Sequence, residues 1–225
     1  MRLLAVFCLF AMLPLMAQDS AQPTEIPTET LLKRIGDSYK NHNYAEAISF
    51  AELACNQGNS IACGALGNLY SSELDAMRSF KDLQKAAHAY FKACEGRIAA
   101  ACFYLGVFHA NGQGVQQNYG SARGFFARAC ELGDADACDA MGNFYANANR
   151  DIMPQQDYAQ AANFYRKSCE SSRAPSCFKL ATLYRIGQGV KADFAMAKKF
   201  YGKSCQLGDP QGCEAWWSME NVPKQ

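Results

Sequence analysis

Ten of the eleven cysteines form five pairs, and the two members of every pair stand eight positions apart. The pairs are Cys55 with Cys63, Cys94 with Cys102, Cys130 with Cys138, Cys169 with Cys177, and Cys205 with Cys213. Zinc sites favour shorter cysteine spacings and need four ligands brought together. Redox proteins of the thioredoxin type use C-x-x-C, which is absent here. The spacing therefore favours disulfides, and we expect no metal and no cofactor.

A disulfide within such a pair requires the chain to reverse between its two cysteines. Residues eight apart on one continuous helix lie roughly 12 Å apart along its axis, whereas a disulfide joins Cα atoms within about 7 Å. Gly58, Gly133 and Gly208 suit the left-handed position after a helix. Pro175 and Pro210 suit the first turn of the next helix. Each bridge should therefore join the end of one helix to the start of the following antiparallel helix.

The cysteine pairs mark an internal repeat, because their first members are 39, 36, 39 and 36 residues apart. An Asn or Asp stands twelve positions before each first cysteine, and both are good helix N-caps. Four positions after that cap there is always an alanine: Ala47, Ala86, Ala122, Ala161 and Ala197. After each of the first four pairs, a large apolar residue is followed directly by a small residue and, three positions later, by an aromatic residue, as in LGNLY at 66. Each unit is therefore predicted to be a helical hairpin.

The connection between the two helices of a unit varies in length. Shorter units carry GQGV at 112 and 187, which predicts a compact turn. Longer units carry SSELDAMRSFK from 71 and NANRDIMPQQ from 147. Insertion at this point alone indicates an exposed loop.

These patterns, recurring in phase, resemble the Sel1-like repeat family, a relative of the tetratricopeptide repeat. The added cysteine pairs resemble the branch called the Helicobacter cysteine-rich proteins. The resemblance covers about residues 31–217 and implies an all-α fold, a superhelical solenoid of α/α hairpins, here stapled by disulfides. The predicted solenoid at 29–221 has units of about 29–59, 60–98, 99–134, 135–173 and 174–209. A capping helix at 210–221 and a tail at 222–225 complete the chain.

The N-terminal sequence indicates export. One Arg precedes a run of 14 apolar residues, which is shorter than the roughly 20 residues of a membrane-spanning helix. A cleaved signal peptide at 1–17, followed by a flexible lead-in at 18–28, is favoured over a retained membrane anchor. Cleavage removes Cys8, and an even cysteine number in an exported chain is typical of disulfides. We expect a secreted or periplasmic bacterial protein, and its net charge of +1 predicts no nucleic-acid partner.

No catalytic constellation is evident, although the resemblance implies one enzyme hypothesis. Members of the cysteine-rich branch are described as β-lactamases that bind penicillin-like compounds. Serine β-lactamases use S-x-x-K with S-D-N and K-T-G. The chain has S-x-x-K from Ser176 to Lys179 but lacks both partner motifs. The other units have Ala or Gly at the position of Ser176, so a packing role is the simpler explanation. The alternative of β-lactam binding or weak hydrolysis rests on resemblance alone.

The resemblance also implies binding on a concave face lined by the first helix of each unit. The position after the small residue of the motif, which we call the slot, should point into that groove. In tetratricopeptide domains an Asn at this position often binds an extended peptide, because its amide both donates and accepts hydrogen bonds. A solvated polar face and a purely structural spacer are the alternatives. The expected ligand is a peptide, a protein or a peptidoglycan fragment. The candidate binding residues are Asn68, Val107, Asn143, Thr182 and Arg185.

Overall fold

The computed structural model describes residues 26–147 and 156–220 of the chain. Within these ranges there are eleven α-helices and one 3-10 helix. The first helices of the hairpins are α1 (Thr28–Lys40), α3 (Ser60–Ser71), α5 (Ala99–Asn111), α7 (Ala135–Ala146) and α9 (Ala174–Ile186). Their second helices are α2 (Tyr44–Asn56), α4 (Leu83–Glu95), α6 (Tyr119–Glu131), α8 (Tyr158–Glu170) and α10 (Phe194–Gln206), and α11 (Pro210–Glu220) follows.

The helices pack in chain order, each against the one before it and the one after it. Contacts two elements apart also join α3 to α5 and α9 to α11. This arrangement confirms the all-α hairpin solenoid. The predicted signal peptide, residues 18–25 of the lead-in, the tail and most of the loop from 147 lie outside the described residues.

The predicted caps start four of the five second helices. The side chains of Asp82, Asn118, Asp157 and Asp193 each accept a hydrogen bond from a backbone amide in the first turn. Asn43 instead donates its side-chain amide to Glu46 at 2.9 Å. The second helices end one residue beyond the first cysteine rather than at it.

Small residues allow the two helices of a hairpin to approach closely. The invariant alanines of the second helices are fully buried. On the first helices, Gly67 and Gly106 lie beneath aromatic rings, and a Cβ at these positions would stand 2.5 Å from Tyr90 and 2.8 Å from Phe126. The ring occupies the space of the missing side chain, which explains the small residue of LGNLY.

The five cysteine pairs are joined as predicted, with Cα–Cα distances between 4.4 and 4.7 Å. Gly58, Gly133 and Gly208 take φ values of +87°, +95° and +90° at the turns. Arg97 and Ser172 occupy the same left-handed position in the other two pairs. Each bridge closes a short loop and contributes roughly 2 to 3 kcal/mol on the chain-entropy estimate.

The loop from 71 differs from the exposed loop that was predicted. Residues Asp75–Phe80 form a 3-10 helix, and Met77 within it is fully buried in the core that includes α1 and α3. The insertion therefore adds to the core. The GQGV turns are compact, as expected, and Gly114 and Gly189 at φ +66° lie against the backbone at Leu83 and Tyr158, where the preceding second helix begins.

Candidate functional site

The candidate side chains of the first helices lie beside the aromatic rings of the second helices. The Tyr90 hydroxyl donates to Asn68 Oδ1 at 2.8 Å, and the Tyr165 hydroxyl donates to Asn143 Oδ1 at 2.9 Å. In the fifth hairpin, Thr182 Oγ1 and the Tyr201 hydroxyl are 3.0 Å apart. The third hairpin has Val107 in this slot, and the ring is Phe126, which carries no hydroxyl. In the second to fifth hairpins a polar slot is thus matched by tyrosine and an apolar slot by phenylalanine, whereas the first hairpin has Asp37 in the slot and Ala51 at the ring position.

Burial favours the protonated form of Tyr90 and Tyr165. It raises the pKa of Tyr90 and of Tyr165 above the ordinary value, and for Tyr165 the nearby Asp139 carboxylate raises it further. A neutral phenol donates one proton, and Asn68 and Asn143 accept it. The slot residues of the second to fifth hairpins therefore contribute to packing within the hairpin, a role that the sequence did not predict.

The two asparagines differ in what remains available to a ligand. Asn143 donates to Asp139 Oδ2 at 3.0 Å, and its Oδ1 also accepts from Lys179 Nζ at 2.9 Å. Asn68 is exposed, and no partner for its Nδ2 lies among the described residues. Asn68 thus has both amide N–H groups without a partner among the described residues, whereas Asn143 uses one of its two.

Asn68 lies between two concavities on the first-helix face, and together they form what we call the Asn68 groove. One concavity of about 300 Å³ is lined by Ile35, Gly36, Tyr39, Ala65, Asn68, Leu69, Ser72 and Met77. The other, of about 270 Å³, is lined by Ile61, Gly64, Ala65, Asn68, Tyr90, Ile98, Ala100, Ala101 and Tyr104. Their walls include large apolar side chains with high exposure: Tyr39 at 42%, Ile61 at 61% and Tyr104 at 43%. The groove combines apolar surface with one central amide.

The S-x-x-K residues belong to a buried polar cluster that joins α7, α8 and α9. Ser176 Oγ donates to Asp139 Oδ1 at 2.5 Å and lies 2.8 Å from Ser168 Oγ. Lys179 Nζ lies 2.8 and 2.7 Å from the two Asp139 oxygens. Ser176 and Ser168 are both 0% exposed. The cluster is satisfied by its own members and ties neighbouring hairpins together.

This geometry does not activate Ser176 as a nucleophile. A serine nucleophile needs a base to take its proton and a path for the substrate. The ammonium group of Lys179 directs its protons to Asp139 and Asn143, and Ser176 has no accessible surface. The arrangement matches the packing role expected for this slot.

The other predicted residues lie on first helices further along the chain, in the third and fifth hairpins. Arg185 is exposed, and its Nε donates to the Tyr201 hydroxyl at 3.3 Å, beside Thr182. Val107 is half-buried among the core residues around Phe126. The structure does not bring these residues together with Asn68. Among the described residues, no group of His, Cys, Asp and Glu could hold a metal ion, and no helix there has the length and apolar character to cross a membrane.

The fold and groove define an α/α-hairpin repeat protein of the solenoid class. The model of the Sel1 repeat matches residues 35–59, 99–134, 135–172 and 174–209. The chain therefore belongs to the Sel1 repeat family, as its sequence motifs predicted. Sel1 repeats generally mediate protein interactions.

Several solved structures are similar to this chain. Similar chains include c5321, a protective antigen of uropathogenic Escherichia coli with 25% identity and a TM-score of 0.73, covering 86% of this chain and 44% of that one. A Sel1 repeat protein from Oxalobacter formigenes has 22% identity and a TM-score of 0.68, covering 78% and 49%. Cysteine rich protein B of Helicobacter pylori has 31% identity and a TM-score of 0.47, covering 60% and 94%. The chain thus spans less than half the length of the first two, and no curated protein matches it.

Proposed function

We propose that this protein is an exported interaction module that binds an extended peptide, from a protein or a cell-wall fragment, across the Asn68 groove. The observation that carries the proposal is the unused amide donor of exposed Asn68 between two apolar concavities. An extended backbone presents carbonyl oxygens at regular intervals, and an amide donor can bind one of them. The side chains on either side would enter the concavities beside Tyr39 and Tyr104.

The proposed interaction is moderate in strength. Burial of one apolar side chain contributes about 1.5 to 3 kcal/mol, and one net hydrogen bond contributes about 1 kcal/mol. Two such side chains and one hydrogen bond sum to about 4 to 7 kcal/mol before the cost of association, so these contacts alone bind no more tightly than roughly ten micromolar to millimolar. Reversible recognition on this scale is typical of a module that works with other binding sites.

Export is supported by the five disulfides. Such bridges form and persist in oxidising compartments and are rare in the cytosol. Eight of their ten cysteines are buried, so the bridges are part of the folded core. We infer that the protein acts in the periplasm or outside the cell after removal of residues 1–17.

The test is selection of ligands from displayed peptides and muropeptides, followed by calorimetric titration of two matched variants. Asn68→Asp keeps the oxygen that accepts from Tyr90 but removes both amide protons, and we expect about fivefold to tenfold weaker binding. Asn111→Asp makes the same chemical change at the exposed end of α5, outside both concavities, and should leave affinity unchanged. Equal loss in both variants, or no loss in Asn68→Asp, contradicts the proposal.

The alternative of β-lactam binding or hydrolysis has no support in the geometry around Ser176. Incubation with a penicillin, followed by mass spectrometry of the intact protein, should give no acyl adduct. An adduct mapped to Ser176 would require the buried cluster with Asp139 to open and would overturn the packing role assigned to it.

A further inference from the structure

Three hairpins carry the same stacked ring pair between their helices. In each of them, the aromatic residue that ends the LGNLY-type motif of the first helix stacks on a ring of the second helix. That second ring stands five positions before the first cysteine of the pair. The pairs are His109 with Phe125, Tyr145 with Phe164, and Tyr184 with Phe200, at centroid distances of 5.3, 5.4 and 5.7 Å and interplanar angles of 18°, 9° and 10°. The stack is thus a repeated feature of the third, fourth and fifth hairpins.

The second hairpin has the first ring without the second. Tyr70 occupies the aromatic slot, but the stacking position holds Ala89. A cavity of about 530 Å³ lies there between α2, α3 and α4, and Tyr70 and Ala89 are both in its wall. The exposed Lys85 places its Nζ 5.1 Å from the centroid of the Tyr70 ring, close to the centroid distances of the stacked rings in the third, fourth and fifth hairpins. The cavity is therefore the space of a missing aromatic side chain, covered by a flexible lysine.

The two lysines in the wall of this cavity favour an anion. Lys85, His88 and Lys92 line it from one face of α4, at helical spacings of three and four. The single carboxylate in the wall, Glu52, accepts a hydrogen bond from the Tyr70 hydroxyl at 2.5 Å. Lys92 Nζ lies 3.5 Å from Asn56 Oδ1, a long contact that a carboxylate would replace with a charge-assisted one.

We propose that this cavity is a ligand site for an aromatic carboxylate. The ring of the ligand displaces Lys85 and stacks on Tyr70, as the second-helix ring stacks on the first-helix ring in the third to fifth hairpins, and the carboxylate binds the ammonium groups of Lys85 and Lys92. The same chemistry is present in a free aromatic acid and in a polypeptide that ends in Phe, Tyr or Trp. The site lies on the second-helix side of the solenoid and is independent of the Asn68 groove.

The test is an NMR titration of the whole chain with N-acetyl-L-phenylalanine. We expect saturable shifts at Tyr70, Ala89 and Lys92 with a dissociation constant of roughly millimolar or tighter. N-acetyl-L-phenylalaninamide lacks the charge and N-acetyl-L-alanine lacks the ring, and each should bind about fivefold or more weakly. Comparison of 3-phenylpropionate with a short peptide ending in Phe distinguishes a free acid from a polypeptide terminus as the better ligand.

Two sets of variants make the site falsifiable. Ala89→Phe supplies the ring of the other hairpins and should abolish binding without lowering the melting temperature. Lys85→Gln with Lys92→Gln should weaken binding about tenfold, whereas Lys33→Gln, exposed on α1, should not change it. Binding that survives Ala89→Phe in folded protein overturns the proposal. If Ala89→Phe fails to fold, unchanged binding in the double lysine variant overturns it equally.

Discussion

Lys179→Met isolates the contribution of the buried cluster between the fourth and fifth hairpins. In the wild-type protein, Lys179 neutralises Asp139, whose side chain is only 10% exposed. The substitution keeps an apolar stem of similar length but removes the cation. Asp139 then retains hydrogen bonds from Ser176 and Asn143 without any positive partner among the described residues.

The expected loss follows from the burial of the two partners. Removing one member of a fully buried ion pair costs about 3 to 5 kcal/mol, because the other charge is left uncompensated. Lys179 is 33% exposed and two hydrogen bonds to Asp139 survive, so we expect a loss of about 2 kcal/mol. For a chain of this size, each kcal/mol shifts the melting temperature by about 2 to 4 °C. The midpoint should therefore fall by about 4 to 8 °C.

Thermal and urea denaturation followed by circular dichroism measure this loss. Adding Asp139→Asn to Lys179→Met removes the stranded charge while keeping an acceptor for Ser176, so most of the stability should return. Arg78→Met is the control, because its ion pair with Asp75 is 82% and 90% exposed and should contribute less than about 0.5 kcal/mol. A Lys179→Met protein as stable as wild type, or a double variant less stable than the single one, refutes the reasoning.

Three further predictions concern the packing of the hairpins. Gly67→Ala places a Cβ 2.5 Å from the Tyr90 ring and should lower the free energy of unfolding, measured in urea, by about 1 to 3 kcal/mol. As the control, Gly124→Ala meets nothing within 4 Å and should raise that free energy by about 0.5 to 1 kcal/mol. Tyr90→Phe should lower the free energy of unfolding by about 1 kcal/mol. Adding Asn68→Val reproduces the residues of the third hairpin and should recover part of that loss. A further loss would contradict the match between slot residue and ring. Peptide mapping under non-reducing conditions should find five bridges, each within its own cysteine pair, and a bridge between two pairs would contradict the framework.

The repeat, the bridges and the helix caps could be predicted because their causes are local. A cap acts within one turn, and each disulfide spans eight residues. Such features depend little on the rest of the fold, so spacing alone was sufficient. Asn43 departs from the pattern because its amide finds the Glu46 carboxylate three residues away.

The chemistry of the first-helix face could not be read from one unit at a time. Whether a slot asparagine is available depends on partners elsewhere in the chain: Asn143 is engaged by Lys179, whereas Asn68 is not. A sequence signal existed, because Lys179 stands where the other units have Ala or Tyr, and Asp139 lies 40 residues before it. The match of Tyr with a polar slot and Phe with Val in the second to fifth hairpins was a second signal, visible once the units are aligned.

The location of the ligand on the solenoid can be measured directly by NMR shift mapping with the tightest peptide or muropeptide from the selection. Binding in the Asn68 groove should shift the resonances of Tyr39, Asn68 and Tyr104, and at a subsaturating ligand concentration Asn68→Asp should reduce the Tyr39 and Tyr104 shifts together, as expected for about fivefold to tenfold weaker binding. Shifts confined to α7 and α9, or to the second helices, would place the ligand elsewhere and contradict the proposed function.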